Sequence, residues 1–309
     1  MKIIIDTDPG VDDALALFYT FAQPQFDLVG LTAIFGNVTV ETATENALWL
    51  CEAAGRPGVP VAMGARLPLS GAGHDPSVAV HGAYGFGNLA RRAPQGQAVA
   101  MDAADFLVAQ AAADPGQITL VALGPLTNVA LALQRDPNFA QNIAQIVVMG
   151  GAFGVPGNIT PYAEANIYND PLSCAVVAAL GQRVTFIGLD VTDQILLSKQ
   201  DIAEMCASGG PWAAFTRDIT DYYLAFYASV GITAGAGLHD PTTLIALDHP
   251  HLFSFDTGTV SVITEGEAIG KTQFTPGPGN CRIAHTAEFQ PILDLFKTAV
   301  GGWIAAHKQ

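Results

Sequence analysis

Four carboxylates crowd one strand-to-helix turn at the start of the chain. They are Asp6, Asp8, Asp12 and Asp13 in Lys2-Ile3-Ile4-Ile5-Asp6-Thr7-Asp8-Pro9-Gly10-Val11-Asp12-Asp13-Ala14. Apart from Lys2 at the far end of the run, no basic residue accompanies them, so their charges repel unless a cation fills the space between. Hard oxygen donors at close quarters suit Ca²⁺ or Mg²⁺ rather than zinc. Acids in a first helical turn also cap the helix, which accounts for one or two of the four but not for all. Pro9-Gly10 forces the turn and lets backbone approach whatever is bound there.

Other residues able to do chemistry fall where apolar runs of strand length stop. Asn37 follows Phe35-Gly36, Leu123 to Asn128 follow one run, Met149 to Gly151 another, and Asp190 a third. The segment Asn158-Ile159-Thr160-Pro161-Tyr162-Ala163-Glu164-Ala165-Asn166 is dense in amide and acid side chains. Such groups suit hydrogen bonding to a polyhydroxylated ligand such as a sugar, although asparagines also form turns. His239 beside Asp240 opens a helix pattern, either as a general acid near neutral pH or as a structural hydrogen-bonder. His81 lies in a Gly-rich loop and faces either a pocket or solvent. The glycines from Gly151 to Gly157 lack the lysine and helix of a phosphate loop, which points to an unphosphorylated ligand.

The elements that must position these residues alternate as strand and helix. After Ile3–Ile5 and its helix come an apolar run to Ala33 and a helix from Val40 with Thr39 as its cap. A short strand at 59–63 precedes a Gly/Pro-rich loop carrying His74, His81 and Tyr84. Near-continuous apolar runs at 118–123, 143–149 and 184–189 read as parallel strands buried on both faces. Helices are expected at 102–113, 129–134, 170–180, 199–206, 212–229, 238–247 and 289–307. Alternation around Glu265-Gly266 reads as a hairpin with arms at 259–263 and 269–274. The implied architecture is one α/β domain over residues 1–309: an open, mostly parallel, Rossmann-like sheet with helices on both faces and a small β-hairpin near the C-terminus.

Composition limits the partners. Of 309 residues, 13 are basic and 28 acidic, a net charge of −15, which argues against nucleic acid or an anionic membrane surface. The four cysteines have no metal-site spacing, and three of them, in apolar helical patterns, read as buried small residues. With no signal-peptide pattern and no apolar run of membrane length, a cytoplasmic protein acting on a small molecule is expected.

The motifs resemble the inosine-uridine-preferring nucleoside hydrolases. The resemblance rests on Asp6-Thr7-Asp8-Pro9-Gly10-Val11-Asp12-Asp13-Ala14, then Gly36-Asn37-Val38, His81-Gly82, Gly124-Pro125-Leu126-Thr127-Asn128, Met149-Gly150-Gly151, Gly157-Asn158, Glu164-x-Asn166 and His239-Asp240-Pro241, in family order. It implies hydrolysis of the N-glycosidic bond of ribonucleosides with a bound Ca²⁺ held by Asp8, Asp13, Asp240 and the carbonyl of Leu123. By the same resemblance Asp8 is the general base on a metal-held water, and His239 is the leaving-group acid of the His-containing branch. Asp12 and Asn166 would grip the 2′- and 3′-hydroxyls and Asn158 and Glu164 the 5′-hydroxyl, while Asn37 would brace the site and Met149 would also bind substrate. His81, Tyr223 and Tyr227 would line the base, and the family's dimers or tetramers imply a homo-oligomer.

Two rival readings use the same residues. Asp6-x-Asp8 after a strand also opens the site of haloacid-dehalogenase-type phosphatases, but that site needs a downstream lysine and a late acidic pair, whereas here the pair is Asp12-Asp13. A non-catalytic nucleoside or ribose sensor would keep the pocket without needing the set Asp8, Asp13, His239 and Asp240.

Overall fold

The computed structural model describes residues 1–180, 183–279 and 281–308. Its strands are β1 (Lys2–Thr7), β2 (Asp27–Ala33), β3 (Val61–Met63), β4 (Ile118–Ala122), β5 (Gln145–Met149), β6 (Val184–Ile187), β7 (Leu196–Leu197), β8 (Ala236–Gly237), β9 (Phe253–Val262), β10 (Thr272–Pro276) and β11 (Cys281–Ala287). Nine of these form one sheet in the order β10-β9-β11-β6-β5-β4-β1-β2-β3. The run β3-β2-β1-β4-β5-β6 is parallel throughout, and the strand order reverses between β1 and β4. A crevice opens outside the carboxyl ends of the strands at such a reversal. The residues next to it are those that follow β1 and β4: Asp8 and Leu123.

Burial explains why the apolar runs are continuous. Every residue of β4 and β6 is buried, as is every residue of β1 after Lys2, because helices cover both faces. On one face the helix Val11–Ala22 packs with Pro211–Ser229, His239–Asp248 and Phe289–Ala306. There Phe18 stacks on Trp303 with ring centroids 5.2 Å apart and meets Trp212 edge-on at 5.1 Å. On the other face Ala103–Ala113, Thr127–Arg135 and Pro171–Ala178 cover the sheet. Thr39 caps Val40–Ala53 by accepting from the Thr42 N–H, and Asp102 caps Ala103–Ala113 through the Asp105 N–H.

Three features differ from the sequence expectation. The helix expected from Asp170 is present as Pro171–Ala178, but an additional short helix, Ala165–Asn169, precedes it in a stretch expected to be loop. Asp170 ends the short helix, and its side chain caps the longer one at Ser173, while Pro171 cannot donate into a continuous helix. The hairpin is present as β9 and β10, with Thr272 opposite Val262. It does not stand apart, because β11 pairs antiparallel with β9 and parallel with β6 and so extends the main sheet. The short ladder β7-β8, Leu196 opposite Gly237, also escapes sequence reading, being only two residues per strand. All four cysteines are buried and free. Among the described residues no helix is long and apolar enough to cross a membrane.

Candidate active site

The acidic turn lies entirely inside the protein: Asp6, Asp8, Asp12, Asp13 and Asp240 are all buried. Asp6 Oδ1 accepts hydrogen bonds from Thr32 Oγ1 at 2.6 Å and Asn128 Nδ2 at 2.7 Å, and the same Asn128 Nδ2 donates to the Ala33 carbonyl at 3.0 Å. Asp6 thereby braces β1 against β2 and the helix Thr127–Arg135. Asp13 is saturated: it accepts from Thr7 Oγ1, the N–H groups of Asp8 and Gly10, and Asn37 Nδ2. The two roles proposed for first-turn acids therefore meet in Asp13, which caps the helix and faces the cluster.

Asp8 and Asp12 differ from Asp13 and share with Asp6, whose Oδ2 is also buried and unpartnered, one carboxylate oxygen without a hydrogen bond. Asp8 Oδ2 accepts the Asn37 N–H at 2.6 Å, but Asp8 Oδ1 and Asp12 Oδ1 are buried with no hydrogen-bond partner. A buried, unpaired carboxylate oxygen is costly. Asp12, Asp13 and Asp240 each bring one oxygen to within 4.8 Å of the others; Asp8 is outside this group of three, although its charge reaches Asp240. Burial pushes the Asp6 carboxyl up to about 7 and that of Asp12 up to about 6. Burial first, then neighbouring acids, raises Asp8, Asp13 and Asp240 as well. An all-oxygen donor set, orphaned oxygens and mutual repulsion fit a hard divalent cation such as Ca²⁺.

Glycines make the room. A Cβ on Gly36 would strike Asp8 Oδ2, and one on Gly124 would lie 2.5 Å from Asp8 Oδ1. Leu123 is tied to β1 by its N–H, which donates to the Asp6 carbonyl at 2.8 Å, while its own carbonyl accepts from Asn166 Nδ2 at 2.7 Å. Asn166 Nδ2 also reaches the Met149 carbonyl at 3.3 Å. Asn166, Met149 and Leu123 thus converge at the ends of β4 and β5.

The loop expected to hold ribose is split in its behaviour. Glu164 is buried, and its carboxylate accepts three backbone N–H groups, from Gly151, Asn166 and Ile167. It caps Ala165–Asn169 and fixes the turn after β5. Burial raises its carboxyl to about 7 against those bonds. Asn158 is exposed, with Oδ1 accepting the Ala165 N–H at 3.0 Å. Asp190 accepts from the N–H groups of Phe153 and Gly154 and so anchors the glycine-rich loop.

Histidines and tyrosines form the opposite wall. His81 Nδ1 accepts the Val11 N–H at 3.2 Å, so its proton sits on Nε2, and no proton lies between Nδ1 and Asp12 Oδ1, 3.7 Å away. Its ring is 5.6 Å from that of Tyr223. Tyr223 and Tyr227 are both buried, whereas Tyr222 points outward and donates to the Val78 carbonyl. The Tyr223 hydroxyl stands 3.5 Å from Asp12 Oδ2 and 3.5 Å from the Tyr227 hydroxyl. Tyr227 in turn is 2.6 Å from His239 Nε2, and Thr192 Oγ1 is 2.8 Å from His239 Nδ1. Burial lowers both His81 and His239 to about 4. Thr192 and Thr32 are members of the site that sequence reading passed over, and Asn128 is one that it named without giving it a role. A threonine gives no signal until a partner is known, whereas Asn128 was visible in its strand-end motif.

The sequence model described as "Inosine-uridine preferring nucleoside hydrolase" matches residues 3–293. The chain is 42% identical over 278 residues to uridine nucleosidase 1 of Arabidopsis thaliana, covering 89% of this chain and 82% of that one. It is 38% identical over 269 residues to the pyrimidine-specific ribonucleoside hydrolase RihA of Shewanella woodyi, covering 86% and 85%. The solved structure of a purine-preferring ribonucleoside hydrolase from Gardnerella vaginalis superimposes with a TM-score of 0.95 at 31% identity, covering 99% of this chain and 100% of that one. The buried acids at the β1/β4 reversal therefore lie in a chain that belongs to the inosine-uridine-preferring nucleoside hydrolase family.

Proposed function

We propose that the chain hydrolyses the N-glycosidic bond of ribonucleosides at the β1/β4 crevice, with Asp8 as the base on the attacking water and His239 acting on the departing base through Tyr227. The observation that carries this reading is the unpartnered, buried Oδ1 of Asp8, held rigid through Oδ2 by the Asn37 N–H. An oriented carboxylate with one free oxygen and a raised pKa is suited to take a proton from water.

Asp12, Asp13 and Asp240 would hold a Ca²⁺ together with Asp8 and the Leu123 carbonyl. When bound, it would neutralise the cluster, polarise the ribose hydroxyls and make water easier to deprotonate. Asn166, fixed on Leu123 and Met149, and Asp12 then address the 2′- and 3′-hydroxyls. Loss of the base leaves positive charge on the ribosyl group, which the surrounding carboxylates stabilise. The base departs as an anion unless it is protonated, and the hydrogen-bonded Tyr227–His239 pair would supply that proton. Burial disfavours the acid form of His239; negative charge developing on the base acts in the opposite direction.

Uridine is the first substrate to try, given the names of the relatives, and inosine is its purine counterpart. Base release from uridine, cytidine, inosine and adenosine, followed with and without a Ca²⁺ chelator, tests reaction, metal and preference together. Release that is lost on chelation and restored by Ca²⁺ supports the reading. Release from none of the four removes it, and release indifferent to the chelator removes the metal.

A further inference from the structure

The Gly-rich loop that carries His74 reaches back to the acidic turn. His74 Nε2 stands 2.7 Å from the Gly36 carbonyl oxygen. A carbonyl only accepts, so Nε2 carries the proton and donates. The imidazole meets the buried ring of Phe35 edge-on at a centroid distance of 5.0 Å, which sets its plane. Further along the same loop, the Ser77 N–H donates to the Asn37 carbonyl at 3.1 Å. One loop segment thus holds the carbonyls on both sides of the Asn37 backbone. Between them the Asn37 N–H donates to Asp8 Oδ2 at 2.6 Å, and Asn37 Nδ2 donates to Asp13 Oδ2 at 2.9 Å.

Gly36 creates the need for such an anchor. A side chain there would strike Asp8 Oδ2, so the position requires glycine, and glycine leaves the peptide unit that follows free to turn. That unit, between Gly36 and Asn37, is a single plane with its carbonyl and its N–H on opposite edges. Turned over, it would take the N–H away from Asp8 and present an oxygen to a buried carboxylate. We propose that His74 is a positioning residue for the reaction: by holding the Gly36 carbonyl it locks this peptide with its N–H on Asp8 Oδ2, which keeps Asp8 Oδ1 aimed at the attacking water. This deepens the hydrolase reading and rests on its assignment of Asp8 as the base. A donor on the carbonyl also polarises the amide and strengthens the N–H at its other edge. The effect of His74 passes through main chain, not through contact with substrate.

Two variants separate the donor from the ring. His74→Phe keeps an aromatic ring against Phe35 and deletes the donor, whereas His74→Gln places an amide N–H near the former Nε2 and deletes the ring. With Ca²⁺ present, loss of one hydrogen bond predicts that His74→Phe lowers kcat on uridine about three- to tenfold while KM changes by less than about twofold. His74→Gln recovers most of that loss. Hydrogen exchange at the Asn37 amide, followed by NMR in the same isotope-labelled proteins, should quicken about three- to tenfold in His74→Phe and stay near the parent rate in His74→Gln. The Leu31 N–H, which donates to the Pro60 carbonyl within the sheet, should exchange alike in all three. Unchanged Asn37 exchange in His74→Phe, or equal losses of kcat in the two variants, would overturn the role of His74 while leaving the hydrolase reading intact. Parent protein that hydrolyses no nucleoside would instead overturn the reading beneath it, and the exchange rates would still decide whether His74 holds the peptide.

Discussion

The hydroxyl of Tyr227 stands 2.6 Å from Nε2 of His239. With Nδ1 held by Thr192 and Nε2 by Tyr227, the imidazole has no free nitrogen to offer a substrate. Proton transfer from His239 to a departing base would pass through the tyrosine. Tyr227→Phe removes the link and leaves the histidine in place. The expected outcome is a fall in kcat on uridine of about 10²-fold, the lower end of general acid contributions. A nitrophenyl riboside, whose leaving group needs no proton, should be far less affected. His239→Ala should show the same contrast. Equal losses on both substrates would mean that the pair only shapes the pocket.

Asp8→Asn tests the other proton. The amide oxygen still accepts the Asn37 N–H that holds Asp8 at 2.6 Å, so the side chain keeps its place. Turnover should fall by about 10²–10⁴-fold because no base remains. Thermal stability measured without metal should hold or rise, since burial and Asp13 disfavour the charged form of Asp8 and a neutral amide relieves that. Near-normal hydrolysis by this variant would exclude Asp8 as the base.

What sequence made legible follows from what each residue's signal depends on. Asp8, Asp12 and Asp13 announce themselves because four acids in one turn have no bland explanation, and β4 does so because burial on both faces needs an unbroken apolar run. Asp240 is placed with Asp12 and Asp13, a meeting across more than 200 residues that its position at a helix start beside His239 left open and the family resemblance implied. Strand β11 was not legible: between Gly279 and Glu288 its polar-apolar alternation is irregular, and its pairing with both β6 and β9 is set by tertiary contact. The acceptor commitments of Glu164 were equally hidden. They arise because the residue that looks like a sugar ligand is also a helix cap, and a sequence cannot say which donors reach a carboxylate first.

Glu164 also gives the protein a pH signature. Its folded carboxyl is raised to about 7 by burial, from an ordinary 4.5. The folded state therefore binds this proton more tightly than the unfolded chain. The contribution to stability is fully present below about pH 4.5 and is lost as pH rises through about 7. The shift corresponds to at most about 3 kcal/mol. Glu164→Gln cannot titrate. The variant should be less stable than the parent near pH 5, having exchanged an acceptor oxygen for an amide that clashes with backbone donors. That deficit should shrink as pH rises to 8. Thermal midpoints of both proteins from pH 5 to 8 decide the matter, and a constant difference across the range would show that Glu164 does not titrate there.

Gly36→Ala separates placement from chemistry, because it alters no ionisable group. The added methyl would collide with Asp8 Oδ2, the oxygen that accepts from the Asn37 main chain. Asp8 has little freedom to yield: a Cβ built on Gly124 comes as close as 2.5 Å to Oδ1, so the cradle is tight on both sides. Overpacking of this kind costs about 1–3 kcal/mol, which a folded core of this size tolerates. The expected protein is folded, with a lower thermal midpoint, a kcat reduced well beyond what that stability loss accounts for, and weaker Ca²⁺ binding in calorimetry. Gly302→Ala is the control, since a Cβ there meets nothing within 4 Å and the residue lies inside the helix Phe289–Ala306. It should be neutral in turnover and stabilising by about 0.5–1 kcal/mol. If Gly36→Ala matches that control in turnover, the carboxylate tolerates displacement and its rigid seating is not what the reaction uses.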